Sequence, residues 1–128
     1  MIVLDASALV DVVLDRPAKT LLVGHLDDEL CAPAHQPAEA LSAIARLVRA
    51  QVVEPTVAAT ALSEVAALEQ DLVMPTAEHL RGALDLQDRI RVLDGLYVMV
   101  AAERGCPLVT TDGRLARADP PCEVIFIG

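Results

Sequence analysis

The hydrophobic pattern of the chain alternates between short apolar runs and longer segments in which apolar residues recur at helical spacing. Five runs are short, rich in Val, Ile and Leu, and bounded by polar residues, Gly or Pro, which is typical of buried strands. They cover residues 2–4, 30–32, 71–74, 107–110 and 123–127. Strands separated by helical segments predict a parallel sheet covered by helices on both faces, an architecture of the α/β class.

The segments between the runs predict seven helices. The first helix is expected to begin at residue 6 and to end before the break at Asp15-Arg16-Pro17. The other six are expected over residues 18–26, 37–50, 57–68, 76–89, 95–103 and 114–118. The periodicity places apolar side chains such as Leu21, Leu41 and Val57 on the inward faces. The sixth helix is apolar all round and is therefore expected to be deeply buried.

Charged residues also show helical spacing in the fifth helix. Arg81, Asp85 and Arg89 lie four residues apart, which predicts a solvated ladder of ion pairs along one face of that helix.

Composition limits the classes of function. The chain has 128 residues, 54% of them hydrophobic, which predicts one domain over residues 1–128 with an aliphatic core. Aromatic side chains make up only 2%, so a platform for stacking bases is not expected. The net charge of −9, from 19 acids and 10 bases, is not the basic footprint of a protein that simply clings to nucleic acid. A polyanionic substrate would need a divalent metal or a local arginine cluster, and a basic protein partner is favoured.

The cysteines and the apolar run at the start of the sequence indicate the cellular location and not the chemistry of the protein. Cys31, Cys106 and Cys122 have no paired spacing, which fits neither a zinc site nor a disulfide framework and predicts reduced thiols in a cytoplasmic protein. The apolar start is interrupted by Asp5 and Asp11, so neither a signal peptide nor a membrane span is expected there.

Four acids stand out by their position relative to the predicted elements. Asp5 and Asp112 each follow an apolar strand, and Glu39 and Asp94 each lie at the start of a helix. Strand ends and the following helix starts gather at one edge of a parallel sheet, where ligands bind. Carboxylates gathered without basic neighbours would repel one another, and hard oxygen ligands are what Mg²⁺ and Mn²⁺ prefer. Ser7, Thr110 and Thr111 flank the predicted site.

Each acid also has a structural interpretation that the sequence leaves open. Glu39 could be the third residue of its helix and cap the free amides there, Asp94 and Asp5 could be N-caps, and Asp112 precedes Gly113 in a common turn pair.

The motifs around these acids resemble those of the PIN domain. They are MIVLDASAL with Asp5 and Ser7, PAEALSA with Glu39, LDGLYV with Asp94, and PLVTTDGRLA with Thr111 and Asp112. The resemblance covers essentially the whole chain and is closest to the VapC toxins of VapBC toxin–antitoxin modules. It implies a three-layer α/β/α sandwich with a short central parallel sheet flanked by helices.

The resemblance also implies an activity, a cofactor and partners. The family is one of metal-dependent endoribonucleases, and Asp5, Glu39, Asp94 and Asp112 match the acids of its Mg²⁺/Mn²⁺ pocket, with Ser7 and Thr111 as polar supporting residues. It implies a homodimer, and a larger assembly with a VapB-type antitoxin that inhibits the enzyme and can direct an Arg or Lys towards the acids. Gly95 departs from the family pattern, where Ala is common, and is expected to loosen its turn.

Three functions are compared. In the first, Asp5, Asp94 and Asp112 hold a metal, Glu39 is a further ligand or orients the water, and RNA contacts come from among Arg46, Arg49, Arg89, Arg91 and Arg114. In the second, Asp5 is the nucleophile of a phosphatase-like hydrolase, although such enzymes would want a second acid where Ser7 stands. In the third, the chain is a catalytically silent interaction module in which the acids act as caps.

Overall fold

A computed structural model describes residues 1–128 as a five-stranded parallel sheet with helices on both faces. The strands are β1 (Ile2–Leu4), β2 (Leu30–Pro33), β3 (Asp71–Val73), β4 (Leu108–Thr110) and β5 (Val124–Phe126), in the spatial order β3-β2-β1-β4-β5. Every neighbouring pair is parallel. All five predicted strands are present, and the first one is the central strand.

The helices are α1 (Ala6–Val13), α2 (Lys19–Leu22), α3 (Gln36–Arg49), α4 (Pro55–Ala67), α5 (Ala77–Asp85), α6 (Val92–Arg104) and α7 (Gly113–Arg117). A turn of 3₁₀ helix, Val23–His25, continues α2. None of the helices combines the length and the hydropathy needed to cross a membrane.

Alternation of side chains along β1 divides the core into two layers. Ile2 and Leu4 belong to a cluster with residues of α1, α3 and α4, whereas Val3 belongs to a second cluster with residues of α6. Both clusters are aliphatic apart from Tyr97, Cys31 and Cys106. The predicted three-layer α/β/α arrangement is therefore confirmed.

Two predicted helix limits are wrong around the connection between α5 and α6. Helix α5 ends at Asp85, not near Arg89, because the chain turns over residues 86–90 and buries Ile90. Arg89 lies beyond the helix and donates a hydrogen bond to the carbonyl oxygen of Ala118 at 3.3 Å, so the predicted ion-pair ladder does not form. Helix α6 begins at Val92, and its N-cap, Arg91, makes no capping hydrogen bond, so no capping residue marks this start in the sequence.

Three apolar residues predicted to face the core are exposed. Leu21 is 66%, Leu41 51% and Val57 50% exposed. In α3 the buried side chains are Gln36, Ala40 and Ile44, and in α4 they are Ala58, Ala61 and Val65. Small alanines line the inward faces because the helices pack closely, and bulkier neighbours are displaced towards solvent.

Gly95 lies where α6 crosses α5. A Cβ atom at this position would be 3.1 Å from both Cα and Cβ of Ala83, and Ala83 is itself buried. The absence of a side chain therefore permits close packing of the two helices, instead of loosening the turn as predicted.

Candidate active site

The four predicted acids line one cavity at the carboxyl edge of the sheet. Asp5 follows β1, Asp112 follows β4, Glu39 lies in α3 and Asp94 lies in the first turn of α6. The cavity has a volume of about 130 Å³, and its wall also includes Ser7, Arg46, Arg91 and Tyr97. Four elements distant in sequence thus bring their carboxylates to one place.

Asp5 is almost completely buried, with 4% of its surface exposed. Its Oδ1 accepts hydrogen bonds from Ser7 Oγ at 2.7 Å and from the backbone N–H of Ala8 at 2.9 Å, and its Oδ2 accepts one from the Thr110 hydroxyl at 2.5 Å. Burial raises the pKa of Asp5 to about 6, although these three hydrogen bonds oppose the shift. Asp5 is the N-cap of α1 as well as a wall of the cavity.

The hydrogen bonds to Asp5 bear on the nucleophile interpretation. Because Ser7, Ala8 and Thr110 occupy lone pairs on both carboxylate oxygens, Asp5 is fixed in place and poorly exposed for in-line attack on a substrate. The geometry favours a carboxylate held for a positional role.

Glu39 does not cap its helix. Helix α3 begins at Gln36, so Glu39 is the fourth helical residue, and its carboxylate points to side chains of other residues. Its Oε1 accepts a hydrogen bond from the Tyr97 hydroxyl at 2.9 Å and lies 3.1 Å from His35 Nε2. Burial acts to raise the pKa of Glu39, but these two contacts outweigh burial and hold the pKa below its usual range.

Asp94 and Asp112 share one cationic neighbour, Arg91. The Arg91 Nε atom lies 3.1 Å from Asp94 Oδ2, and its Nη2 atom lies 3.9 Å from Asp112 Oδ2. Asp94 is the third helical residue of α6, so the N-cap interpretation is wrong for it. Asp112 is the N-cap of α7, because its Oδ1 accepts a hydrogen bond from the N–H of Arg114 at 2.9 Å.

The charges of the acids act on one another. The pKa of Asp94 is raised by burial first, then by the charges of Glu39 and Asp112, while Arg91 acts in the opposite direction. Asp94 in turn contributes to the raised pKa of Asp5. This mutual repulsion is the electrostatic condition that a bound cation relieves.

The donor set can be tested against a divalent metal. Four carboxylates around one small cavity supply the hard oxygen ligands that Mg²⁺ and Mn²⁺ prefer. No three acidic, histidine or cysteine side chains are arranged to hold one ion together. Arg91 contacts two of the acids and Tyr97 contacts a third. The chemistry of these residues fits a hard cation.

The polar residues that flank the acids have different roles. Ser7 Oγ donates to Asp5 and accepts a hydrogen bond from the backbone N–H of Thr111 at 3.3 Å. The hydroxyl of Thr110 donates to Asp5 and accepts the N–H of Asp112 at 2.9 Å. Thr111 is not among the residues that line the acidic cavity, and it lines a different cavity with Asp11 and Arg16.

The sequence did not reveal the roles of His35, Gln36 and Tyr97, which fix either an acid or the backbone beside one. His35 precedes Glu39 by one helical turn, and its ring packs on that of Tyr97 with centroids 5.0 Å apart. Gln36 is fully buried, and its Nε2 donates to the carbonyl oxygen of Leu4, directly before Asp5, at 2.8 Å. The spacing of four residues between His35 and Glu39 could have indicated the first contact, but no local signal reveals the others.

The three cysteines form no disulfide. Cys31 and Cys106 are buried, Cys122 is half-buried, and all three are free.

Comparison with known proteins adds family information to this geometry. Residues 2–120 match the sequence model of the PIN domain. The chain is 38% identical to Ribonuclease VapC3 of Mycobacterium tuberculosis, over 97% of this chain and 91% of that protein. It is 35% identical to Ribonuclease VapC12 of the same organism, over 92% of each.

Solved structures show a similar fold. The crystal structure of PAE2754 from Pyrobaculum aerophilum superposes with a TM-score of 0.73 at 25% identity, covering 96% of this chain and 89% of that one. A structure titled as a member of the VapBC family of toxin–antitoxin systems, VapBC-5 from M. tuberculosis, gives a TM-score of 0.56 at 21% identity, over 98% and 95% of the two chains.

Proposed function

The chain belongs to the PIN domain family and, within it, to the VapC group, and from that membership we propose that it is the toxin of a VapBC-type pair, a divalent-metal-dependent endoribonuclease. Its reaction is the hydrolysis of RNA phosphodiester bonds. The single observation that carries the proposal is the convergence of Asp5, Glu39, Asp94 and Asp112 on one cavity. Two relatives named as ribonucleases, at 38% and 35% identity, support the reaction class.

The proposed metal ligands are Asp5, Asp94 and Asp112, with Glu39 as a further ligand or as the residue that orients the attacking water. When bound, Mg²⁺ or Mn²⁺ would lower the pKa of a water and neutralise charge on the phosphodiester. Arg91, which contacts Asp94 and Asp112 and has a largely exposed side chain, is suited to face the substrate.

Glu39 is suited to orient the attacking water because its carboxylate stays ionised. Its pKa lies below the usual range, and Tyr97 fixes one of its oxygens from the side. The second oxygen is left to accept a hydrogen bond, or a proton, from the water that attacks phosphorus.

Asp5 contributes a carboxylate that is already held in a fixed position. Three hydrogen bonds fix its carboxylate at the end of the central strand, so it enters the reaction without losing side-chain freedom at that moment.

The proposal extends to partners and location. An acidic cavity in a chain of net charge −9 suits a small antitoxin that places a cationic side chain near the acids, as Arg91 already does. We infer a single PIN domain over residues 1–128, a homodimer, and a larger assembly with the antitoxin. The three free cysteines support a reducing, cytoplasmic setting.

The test is cleavage of RNA by the purified protein with Mg²⁺ or Mn²⁺, with EDTA, and with Asp5→Asn and Asp94→Asn. Asp27→Asn is the matched control, because Asp27 is exposed and lines a different cavity, beside the amino-terminal Met1. We expect cleavage that EDTA abolishes, that each site substitution lowers by at least about 100-fold, and that the control leaves unchanged.

Three other results would contradict the proposal. Cleavage that survives EDTA and both site substitutions would exclude the metal pocket. A phosphorylated Asp5 trapped during turnover would establish the phosphatase-like hydrolase. A folded protein that neither binds metal nor cuts RNA would be the silent interaction module.

A further inference from the structure

A second cavity lies beside the acidic one and is lined by three arginines. It has a volume of about 120 Å³, and Arg89, Arg91 and Arg114 line it together with Asp94 and Asp112. Arg91, Asp94 and Asp112 belong to both cavities, so the two are contiguous. Arg46 lines only the acidic cavity, and Arg49 lines neither.

We propose that Arg89, Arg91 and Arg114 form a subsite for a backbone phosphate of RNA next to the phosphodiester that is cleaved. The proposal rests on the proposed ribonuclease function and specifies how its substrate is held. We call this place the arginine subsite.

The charge distribution supports an anionic ligand. The chain carries 10 basic residues against 19 acids, yet three of the 10 surround one small cavity. A polyanion approaching the acidic face is repelled, and a local cluster of cations is what attracts it to one point of that face.

Arg89 is the member that the protein itself does not neutralise. Arg91 and Arg114 have acidic neighbours, at 3.1 Å from Asp94 and 3.9 Å from Asp112. No carboxylate lies within salt-bridge distance of Arg89, whose hydrogen bond to the carbonyl oxygen of Ala118 is 3.3 Å long. That bond orients the guanidinium and leaves its other N–H groups for a ligand.

The lining of the cavity selects the phosphate over the base. Its apolar residues are Ile90, Leu115 and Ala118, and none of its residues is aromatic. Guanidinium groups match the oxygens of a phosphate in pairs, whereas a base would need a ring to stack on. The arginine subsite therefore contributes affinity and register, and it is indifferent to base sequence.

Arg89 and Arg114 are positioning residues under this proposal, because they touch a phosphate other than the one that reacts. Their replacement should raise KM for a long RNA and leave kcat unchanged.

The test measures binding of a fluorescently labelled single-stranded RNA of about a dozen nucleotides by anisotropy, in EDTA so that no cleavage occurs. The variants are Arg89→Gln, Arg114→Gln and the double substitution, and the control is Arg49→Gln. We expect Kd to rise about 3- to 10-fold for each single variant. The slope of log K against log salt should become shallower by about 0.7 for each phosphate that the variant no longer neutralises. Melting temperatures establish that the variants fold.

The outcomes separate this inference from the proposed function. If the wild-type chain cuts RNA and both variants bind it with unchanged Kd and salt slope, the arginine subsite is refuted while the ribonuclease stands. If Arg49→Gln weakens binding as much as Arg89→Gln, attraction is diffuse and the subsite is again refuted. If RNA binding depends on Arg89 and Arg114 but no RNA is cut with metal present, the subsite stands and the ribonuclease fails.

Discussion

The hydroxyl of Tyr97 donates a hydrogen bond to Oε1 of Glu39 across 2.9 Å, although the two residues are 58 positions apart in the chain. Tyr97 is the only tyrosine, it lies in α6, and its ring is buried. The bond joins α6 to α3 at the wall of the acidic cavity and fixes the direction of the Glu39 carboxylate.

Tyr97→Phe should loosen that junction. We expect the free energy of unfolding to fall by about 1.5–3 kcal/mol, the usual range for a hydrogen bond to a charged group. The pKa of Glu39 should rise, because its ionised form no longer has this donor. Urea unfolding and carboxyl NMR measure the two effects. A double-mutant cycle with Glu39→Ala, which removes the acceptor, isolates the pair, and a coupling energy of zero would show that the bond contributes nothing.

Asp5→Asn should alter how stability depends on pH. Burial raises the pKa of Asp5 from 3.8 to about 6, so the folded state binds one more proton than the unfolded state between these two values. The free energy of unfolding of the wild-type protein therefore falls as pH rises through this window. The variant lacks that decline and should exceed the wild type at pH 7 by up to about 3 kcal/mol.

The asparagine can keep the local hydrogen bonds, because Thr110 can accept from its amide and donate towards Ser7 Oγ, 3.3 Å away. Urea unfolding in EDTA, at pH values from about 4 to about 7, is the measurement. An equal pH dependence in both proteins would place the titration on another group.

Arg91→Gln should strengthen metal binding by the cation-free protein. Arg91 competes with a divalent ion for Asp94 and Asp112, and the side chain of Arg91 is 67% exposed, so the competition is modest. We expect Mn²⁺ to bind up to about fivefold more tightly by calorimetry, the equivalent of about 1 kcal/mol. Arg46→Gln is the control, since Arg46 lines the cavity without contacting an acid. Weaker Mn²⁺ binding by Arg91→Gln would assign Arg91 a supporting role.

Gly95→Ala should destabilise the protein in spite of the better helix former. The gain in helix propensity is about 1 kcal/mol, but the new methyl would lie 3.1 Å from the backbone of Ala83, and overpacking costs about 1–3 kcal/mol. We expect a net loss of about 1 kcal/mol, measured by urea unfolding. Gly24→Ala is the control, because a Cβ there meets no atom within 4 Å. A more stable Gly95→Ala variant would show that the helices can separate at no cost.

The sheet was predictable because parallel strands are short apolar runs between polar or turn residues. The central strands β1, β2 and β4 are fully buried runs of this kind, and the edge strands β3 and β5 keep the pattern although they are partly exposed. Helix limits were predictable only where a local residue marks them. Thr76 caps α5 with a reciprocal bond from His79, whereas nothing in the sequence marks the start of α6 at Val92. The prediction of which faces of α3 and α4 are buried was wrong for a similar reason. The buried alanines are less hydrophobic than the exposed Leu41 and Val57, so the sequence pattern favoured the wrong face.

The candidate site was likewise predictable only in part. The meeting of the four acids at one edge follows from parallel topology and could be derived before any coordinates. The contacts of the acids could be predicted only in part. Tyr97 reaches Glu39 and Thr110 reaches Asp5 across the fold, where spacing carries no information. Arg91, in contrast, lies three positions before Asp94, a spacing that could have indicated their contact. Glu39 was the acid most easily explained as a helix cap, which would accept hydrogen bonds from backbone N–H groups. Its contacts are instead to the side chains of Tyr97 and His35.

The pairing of β1 with β4 has a consequence for the order in which the proposed site is assembled. Asp5 is synthesised before Thr110, which holds it and follows 105 positions later, and Asp112 comes later still. A nascent or truncated chain that stops before this point lacks both, whatever else it has folded. The proposed site is therefore completed only after β4 has been synthesised and has paired with β1.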